Sequence, residues 1–339
     1  MRVEILSRHL PLAQGTAAGR VLLATGEGLI GEGVDLLVTS WSPEPPEADL
    51  PEWCRWAPLP AEPGWRTRAR ALVRPRSDVV RLGWSPTGTA VADDPLSAAA
   101  LPHGGIATMH YATAIDVRRP APRDLQDLRA ERRLRKARVL AYSDRVAQWV
   151  GGLQVPAAIR IPAEPLPLVD RPTAALIADW RWRPNQVALE HLLQAWTQVT
   201  VPGARLLLAG RGGSPVQVAG VSWLGEVGDA REVLVQAAVL AFPCPGSSGP
   251  KVKVMEALAA GVPVLTTPAG LEGVSAEGVE VSDLAGFGEA LNRLLADPAG
   301  RAERAGRARD AITAVHGPGP AARARMQATN RLRGDEQDH

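Results

Sequence analysis

The chain has 339 residues, of which 45% are hydrophobic and 22% charged. This composition is typical of a globular protein and excludes wholesale disorder, and the length predicts two domains or one large one. Lys and Arg total 38 against 36 Asp and Glu, a near balance that removes any composition-level case for nucleic-acid binding. The two cysteines, Cys54 and Cys244, are too few for a disulfide framework, so we expect free thiols.

The first half of the chain alternates short apolar runs, typical of buried strands, with stretches of helical periodicity. In chain order we predict a strand, a helix and a second strand at Val3–Leu6, Gly19–Ile30 and Val34–Trp41, and then an irregular segment, Ser42–Gly64. Further along we predict strands at Ala90–Ala92, Ile106–His110 and Val139–Tyr142, and helices at Asp124–Lys136 and Arg145–Val150. This alternation favours a parallel sheet covered by helices.

A proline-rich segment, Ile159–Thr173, separates the halves, and its four prolines block helix and central-strand continuation. A second alternation follows. Its predicted strands are Ala174–Ala178, Ala204–Ala209, Val239–Phe242 and Val262–Thr266, and its predicted helices are Gln186–Thr197, Ala230–Ala237, Val252–Ala260 and Leu284–Ala296. We therefore predict an α/β protein with an N-terminal domain over 1–160, a C-terminal domain over 161–318, and a terminal helix with a frayed tail over 319–339.

The stretch Pro245–Val274 is the most informative part of the sequence. It is predicted as a Gly/Ser-rich loop, a helix, a buried strand and a second glycine-containing loop. Glycines in the first loop let the backbone approach a ligand, and the following helix N-terminus favours an anion such as a phosphate. Lys251 and Lys253, two of the three lysines in the chain, add positive charge there. The helix dipole alone disfavours cations at this end, so the pattern indicates an anionic partner.

Glu256 follows about one turn into this helix, where its carboxylate is placed to accept hydrogen bonds from vicinal hydroxyls such as those of a ribose. Glu256–Val264 matches the pattern E-A-x-A-x-G-x-P-V, and with its loop it resembles the nucleotide-binding motif of the GT-B glycosyltransferases of family 4, the group 1 transferases. The resemblance implies a GT-B fold, with two Rossmann-like domains facing each other across a cleft. It also implies a nucleotide-diphosphate sugar as the donor, with a UDP, GDP or other nucleotide.

The resemblance further implies roles for individual residues. Glu256 would hold the donor ribose, and the loop and helix start would hold its diphosphate through Ser247, Ser248, Gly249, Lys251 and Val252. In the N-terminal half, IATMHYAT resembles a strand that ends in the family's histidine near the transferred sugar, which here is His110. Gly15 matches a glycine near the donor phosphates, although an ordinary turn glycine is an equal alternative. Ser143 is predicted as the N-cap of a helix.

The sequence departs from the family pattern at the start of the second domain. Many members carry an Arg and a Lys that grip the donor phosphates, and the corresponding residues here are Asp179 and Asn185. Arg181, Arg183 or Lys253 would then supply the charge. Ser248 stands where many members carry a second glutamate beside the sugar, which leaves the identity of the sugar open.

The resemblance thus implies a retaining transferase, and we expect it to need no metal and no cofactor apart from the donor sugar nucleotide. His110 and Lys253 are the candidate catalytic residues, and catalysis would stabilise the leaving diphosphate electrostatically. The acceptor stays open between a saccharide, a lipid and a small molecule. Two alternatives are a catalytically inactive GT-B protein that binds a ligand or partner, and a sugar-nucleotide epimerase.

Other patterns are interpreted structurally. The glycines of GEGLIG, at Gly26–Gly31, do not precede a predicted helix and are read as a helix C-terminus and turn, not a dinucleotide site. Asp93 and Asp94 are read as a strand-end turn. Trp180 and Trp182 flank the presumed donor site and are candidates for stacking on a sugar.

No charged leader or run of about 20 apolar residues occurs, so we expect a cytoplasmic protein. Arg129–Arg138 is interpreted as a solvated helix face, the alternative being a patch for an anionic acceptor or the inner membrane face.

Overall fold

A computed structural model describes residues 1–59, 79–80, 82–117, 124–135, 137–246, 248–274 and 277–334 of the chain. The chain divides into two units. The N-terminal unit comprises Met1–Ala158 together with the segment from Gly317 onward, and the C-terminal unit comprises Ile159–His316. The segment from Gly317, expected as a separate terminal element, is therefore grouped with the N-terminal unit.

The N-terminal unit is built on a seven-stranded sheet in the order β3-β2-β1-β4-β5-β6-β7. All of its strand pairs are parallel. This order is that of a Rossmann-like sheet, in which the strand order reverses beside the first strand. The strands are β1 (Arg2–Ser7), β2 (Asp35–Ser40), β3 (Cys54–Trp56), β4 (Thr89–Ala92), β5 (Ile106–Met109), β6 (Arg138–Ala141) and β7 (Leu153–Gln154).

Two helices of the N-terminal unit begin at a residue whose side chain caps them. Thr16 caps the first helix by accepting from the amide of Gly19 at 3.1 Å, and Ser143 caps a later one by accepting from the amide of Val146 at 3.3 Å, which confirms its predicted role. The helices are α1 (Ala17–Gly31), α2 (Thr113–Asp116), α3 (Leu125–Leu134) and α4 (Asp144–Val150), and a 3₁₀ turn spans Ser97–Ala100.

The C-terminal unit repeats the same design on a six-stranded parallel sheet in the order β10-β9-β8-β11-β12-β13. Its strands are β8 (Thr173–Ile177), β9 (Arg205–Ala209), β10 (Val221–Trp223), β11 (Val239–Phe242), β12 (Val264–Thr266) and β13 (Glu280–Val281). Its helices are α5 (Arg183–Trp196), α6 (Arg231–Leu234), α7 (Val252–Ala259), α8 (Phe287–Ala296) and α9 (Pro298–His316), and α10 (Pro318–Gly334) follows in the N-terminal unit.

Each strand and helix that the sequence predicts is present in the structure, with ends shifted by a few residues. The expectation that Ser42–Gly64 is wholly irregular is wrong, because Cys54–Trp56 pairs with β2 as an edge strand. The prediction also missed α9. Its buried positions are mostly alanines such as Ala305 and Ala308, which give little hydrophobic periodicity in a sequence of Ala, Arg and Gly. Residues 60–64, like 118–123 and 335–339, lie outside the described part of the chain.

The glycines of GEGLIG lie within the last turns of α1, as a helix C-terminus, and allow close packing. A Cβ added at Gly26 would lie 2.5 Å from the ring of Trp53. A Cβ at Gly28 would lie 2.0 Å from the carbonyl oxygen of Pro318, at the start of α10. Gly26 therefore lets the ring of Trp53 pack against α1, and Gly28 lets the start of α10 pack against it.

Candidate functional site

The half-buried face of α7 gathers three residues that the sequence singles out. Val252, Lys253 and Glu256 are half-buried, whereas the other five residues of this eight-residue helix are buried. Positions 252 and 253 each lie one helical turn from position 256, so the three side chains share one face. This face belongs to the first turns of the helix, where backbone N–H groups lack partners within the helix and favour an anion.

Glycines shape the loop that connects β11 to α7. Gly246 has φ +116° and Gly249 has φ +75°, in the left-handed region that favours glycine. Ser247, predicted to contact the donor, lies outside the described residues. Ser248 is buried, at 5% exposure.

Lys251 lies inside this loop. Its ammonium donates to the backbone carbonyls of Ser248, at 3.4 Å, and of Gly249, and the residue is only 7% exposed. The amide of Gly249 donates to Oε1 of Glu272 at 2.9 Å. Lys251 and Glu272 thus hold the loop in shape, and Lys253 and Glu256 lie on the helix face that follows.

Lys253 joins the start of α7 to the start of α5. Its Nζ donates to Oδ1 of Asn185 at 2.7 Å and lies 4.3 Å from the centre of the Phe242 ring. Burial lowers the pKa of Lys253 to about 7, and the nearby positive charge of Lys251 lowers it further. Asn185 is buried and in turn donates to the carbonyl of Asp179 at 2.7 Å. The lysine amine therefore lies beside position 185, where the resemblance led us to expect a lysine.

The two arginines predicted to grip phosphates are engaged with local carboxylates. Arg181 donates to both carboxylate oxygens of Asp179, from Nε at 2.9 Å and from Nη2 at 2.5 Å. This hydrogen bonding is the main reason that the pKa of Asp179 lies below its ordinary value. Arg183 donates to Glu190 at 3.0 Å on its own helix. Both arginine side chains are more than half exposed, so these ion pairs are weak and exchange readily with other anions.

The two tryptophans singled out for sugar stacking differ in exposure. Trp180 is only 3% exposed, its indole donates to the carbonyl of Ala209 at 3.0 Å, and its ring lies 5.9 Å from that of Trp223. It is a packing residue of the C-terminal sheet, and its ring is not open for stacking. Trp182, which precedes α5, is 49% exposed.

A second cluster lies at the carboxyl edge of the N-terminal sheet, where β1, β4 and β5 end side by side. Nε2 of His110 lies 3.2 Å from Oδ1 of Asp93, and the hydroxyl of Ser7 donates to the other carboxylate oxygen at 3.1 Å. Burial alone would raise the pKa of Asp93, but the charge and hydrogen bond of His110 outweigh it and lower that pKa. An ionised Asp93 can only accept, so this geometry favours the His110 tautomer that carries its proton on Nε2 and leaves Nδ1 unprotonated.

Asp93 is a functional candidate that the sequence analysis missed. The expectation of a strand-end turn fits its neighbour Asp94, which accepts from the amides of Leu96 and Ser97 and caps the 3₁₀ turn. Asp93 instead lies beside His110. A signal was present in the sequence, because the ends of neighbouring parallel strands meet at one sheet edge, and Asp93 follows one predicted strand while His110 ends another.

The environment of the pair contains further polar groups. His9 has its ring 6.1 Å from that of His110, and burial lowers the pKa of His9 to about 4, which keeps it neutral near pH 7. Nε of Arg8 lies 3.3 Å from Nε2 of His9. Gly15, predicted to approach donor phosphates, donates its amide to Leu12 and accepts at its carbonyl from Arg20, as a turn glycine does.

A cavity of about 580 Å³ lies elsewhere in the N-terminal unit. It is lined by the loop before β5, by the 3₁₀ turn and by α3, with Arg133 and Arg138 among its residues. His110 follows the opposite end of β5, so this cavity is separate from the Asp93–His110 pair. Arg132 and Arg133 of the predicted basic run are exposed, as for a solvated helix face.

Within the described ranges, no three His, Cys, Asp or Glu side chains are grouped for metal binding. The described helices include none with the length and apolarity needed to span a bilayer.

Comparison with known proteins places these sites in a family context. Residues 171–297 match the family described as "Glycosyl transferases group 1". Among curated protein sequences, none matches this chain. The family match lies within the C-terminal unit and includes both Lys253 and Glu256.

Solved structures with the same fold include sucrose-phosphate synthase from Thermosynechococcus elongatus, with 16% identity over 99% of this chain and 100% of that chain and a TM-score of 0.74. WaaG, a glycosyltransferase involved in lipopolysaccharide biosynthesis, is similar with 14% identity, 98% and 100% coverage and a TM-score of 0.65. HepE from Anabaena in complex with UDP-glucose has 12% identity, 100% coverage of both chains and a TM-score of 0.62. The fold is GT-B, as predicted, and together with the family match it supports a glycosyltransferase.

Proposed function

We propose that this protein is a retaining, metal-independent glycosyltransferase of the family 4 type, which moves a sugar from a nucleotide-diphosphate sugar to an acceptor hydroxyl. The observation that carries the proposal is the half-buried face of α7, where Lys253 and Glu256 lie one turn apart at the helix N-terminus. A cation and a carboxylate at this spacing suit the diphosphate and the vicinal ribose hydroxyls of one nucleotide.

Charge stabilisation explains how this face would assist the reaction. The bond between the anomeric carbon and the diphosphate oxygen breaks, and the nucleoside diphosphate leaves with the electron pair. The acceptor oxygen forms the new bond to the anomeric carbon and passes its proton to a base, for which Nδ1 of His110 and the departing diphosphate are the candidates. The negative charge that develops on the diphosphate is stabilised by protonated Lys253 and by the free N–H groups of α7. In this proposal these groups supply the positive charge, and no metal ion is needed.

Lys253 also accounts for the departure from the family pattern at position 185. Its Nζ donates to Asn185, so an ammonium lies next to the residue that stands where the resemblance places a lysine. Arg181 and Arg183 are exposed and paired with carboxylates, and a diphosphate would compete with those pairs at little cost. We therefore assign the main phosphate contact to Lys253, with the two arginines as secondary contacts.

The Asp93–His110 pair is the proposed acceptor-side group. Asp93 holds the proton on Nε2, so that Nδ1 of His110 is available to accept a hydrogen bond from a sugar or acceptor hydroxyl. A saccharide, a lipid or a small molecule with a free hydroxyl fits this chemistry. The variant His110→Ala is expected to lower turnover more than donor binding, and a wild-type kcat would remove His110 from the mechanism.

Donor binding is tested first by a thermal-shift screen against UDP, GDP and their sugars, and then by calorimetry. A ligand that binds the folded state raises the melting temperature. The variant Glu256→Ala is compared with Glu289→Ala, which changes an exposed glutamate paired with Arg293 on α8. We expect Glu256→Ala to weaken nucleotide binding at least about tenfold and Glu289→Ala to leave it unchanged. Equal affinity in both variants would contradict the assigned site.

An inactive GT-B binding protein is the second candidate, favoured by the carboxylate and amide at positions 179 and 185 in place of an Arg and a Lys. Incubation with UDP- and GDP-sugars distinguishes the two, because a transferase slowly hydrolyses its donor when water replaces the acceptor. Binding without turnover of any donor would favour the inactive protein. An epimerase would instead convert the donor sugar to its epimer with no acceptor present. Unchanged activity in EDTA is the expected result for a metal-independent enzyme.

A further inference from the structure

A buried arginine on the C-terminal helix lies behind the Asp93–His110 pair. Arg325, on α10, is 5% exposed. Its Nη2 donates to the hydroxyl of Thr108 at 2.6 Å, and its Nη1 donates to the hydroxyl of Tyr142 at 3.3 Å. Thr108 lies on β5, two residues before His110, and Tyr142 follows β6, the next strand in the sheet. The arginine therefore reaches the carboxyl edge of the sheet from a helix more than 200 residues away in sequence, since 325 and 108 differ by 217.

Tyr142 connects this arginine to the histidine. The ring of His110 stands edge-on to the ring of Tyr142, with centroids 4.9 Å apart and an interplanar angle of 87°. This contact fixes the orientation of the imidazole. Because Arg325 donates to the tyrosine hydroxyl, it also restrains the tyrosine ring against which His110 packs.

Packing alone does not explain the charge of Arg325. A buried guanidinium costs several kcal/mol of desolvation unless an anion compensates it. The side chains to which it donates, those of Thr108 and Tyr142, are neutral hydroxyls. The buried Asp93 supplies that anion: burial raises the pKa of its carboxyl, but His110 and, less strongly, the positive charge of Arg325 outweigh burial and lower it. Its neighbours Ala322 and Met326 on the same helix pack against the apolar core of the N-terminal unit.

We propose that Arg325 is a positioning residue for the acceptor-side pair: it keeps Asp93 as an ionised acceptor and, through Tyr142, holds the His110 ring with its proton on Nε2 and Nδ1 free. The effect on catalysis rests on the proposed function. The effect on the protonation and orientation of His110 does not depend on that function. Other charged or titratable groups near the pair are His9, Arg8 and Asp94, and none of them lies on α10.

The test uses the full-length protein labelled with ¹⁵N-histidine. In wild type we expect a slowly exchanging, low-field proton on Nε2 of His110, assigned by its absence in His110→Gln. Arg325→Met should abolish this signal or lower its occupancy at least about fivefold. Arg325→Lys, which keeps the charge, should restore it. The matched control is Arg323→Met, because Arg323 lies on the same helix but is exposed and paired with Glu32. A full signal in Arg325→Met would overturn the proposal.

Kinetics then test the catalytic consequence. Arg325→Met should lower the kcat of donor hydrolysis at least about tenfold with donor affinity unchanged, and Arg325→Lys should recover most of it. If no donor is hydrolysed even by wild type, the proposed function fails, while the histidine signal still decides the role of Arg325. If Arg325→Met does not fold, Arg325→Gln replaces it, since the amide can donate to Thr108 without carrying charge. A wild-type histidine signal in that variant would equally overturn the proposal.

Discussion

The ammonium of Lys253 donates to the side-chain oxygen of Asn185 at 2.7 Å, and this bond joins the start of α7 to the start of α5. The two helices follow different strands of the same parallel sheet, and their amino ends meet at its carboxyl edge. The positively charged group of a lysine on α7 can therefore lie beside a residue at the start of α5. This geometry places an amine beside position 185, which itself carries an amide.

Donor affinity should fall as the pH rises above 7. Burial lowers the pKa of Lys253 to about 7, so the free protein loses this positive charge near neutral pH. A bound diphosphate favours the charged form, so binding above pH 7 must take up a proton, and affinity drops by up to about tenfold per pH unit. A nucleotide-diphosphate sugar suits the measurement because its phosphates do not titrate in this range. Calorimetry from pH 6 to pH 9 should show this fall in wild type and a flat, weaker profile in Lys253→Met. A flat wild-type profile would remove Lys253 from the phosphate contact.

The same lysine should reduce stability most at low pH. Its folded-state pKa of about 7 lies below the ordinary value of 10.5, so between these values the unfolded chain holds a proton that the folded chain lacks. Stability from this group therefore rises with pH across that window and is lowest below pH 7. We expect Lys253→Met to raise the melting temperature at pH 6 and to lose that advantage by pH 10. The check is the difference in melting temperature between variant and wild type at the two pH values, and a difference that grows with pH would contradict it.

Asp93 should affect turnover and not donor binding. In Asp93→Asn the amide is neutral and no longer favours the proton on Nε2 of His110, so Nδ1 is less available as a base. We expect kcat to fall at least about tenfold, within the range that proton transfer contributes, while donor affinity measured by calorimetry stays the same. Asp35→Asn is the control, because Asp35 is an exposed strand residue 3.8 Å from Arg2. Loss of donor affinity in Asp93→Asn would show that the pair serves donor binding instead.

The sequence predicted most of the fold because strands and helices of this chain have contrasting patterns. Apolar runs such as Val239–Phe242 become central strands that are buried on both faces, and the helices between them have a polar side. The long helix Pro298–His316 escaped prediction because alanine and arginine alternate without a hydrophobic stripe. The edge strand Cys54–Trp56 escaped because it is only three residues long and lies among prolines.

The candidate site was predictable where one helix carries it. Lys253 and Glu256 share a face by helical spacing, which the sequence alone fixes. The direction of the Lys251 side chain, which points back into the loop, was not predictable. Its partners are backbone carbonyls of a loop whose shape depends on glycines with positive φ. The role of Arg325 is likewise a consequence of tertiary packing, since α10 returns to the N-terminal sheet from the far end of the chain.

Gly28 should be essential for the close packing of α10 against α1. A Cβ at this position would lie 2.0 Å from the carbonyl oxygen of Pro318 and 2.5 Å from its carbon, and backbone atoms cannot rotate away as a flexible side chain can. We expect Gly28→Ala to destabilise the protein by about 1–3 kcal/mol, because α10 must shift. Gly31→Ala is the control, since an added Cβ there meets nothing within 4 Å and alanine favours helix, for an effect between zero and about 1 kcal/mol of stabilisation. Urea unfolding of both variants measures the difference. Equal free energies of unfolding for the two variants would mean that α10 does not pack against α1 as closely as in the structure. Because α10 also carries Arg325, Gly28→Ala should weaken the His110 Nε2 proton signal as well, and Gly31→Ala should leave it intact.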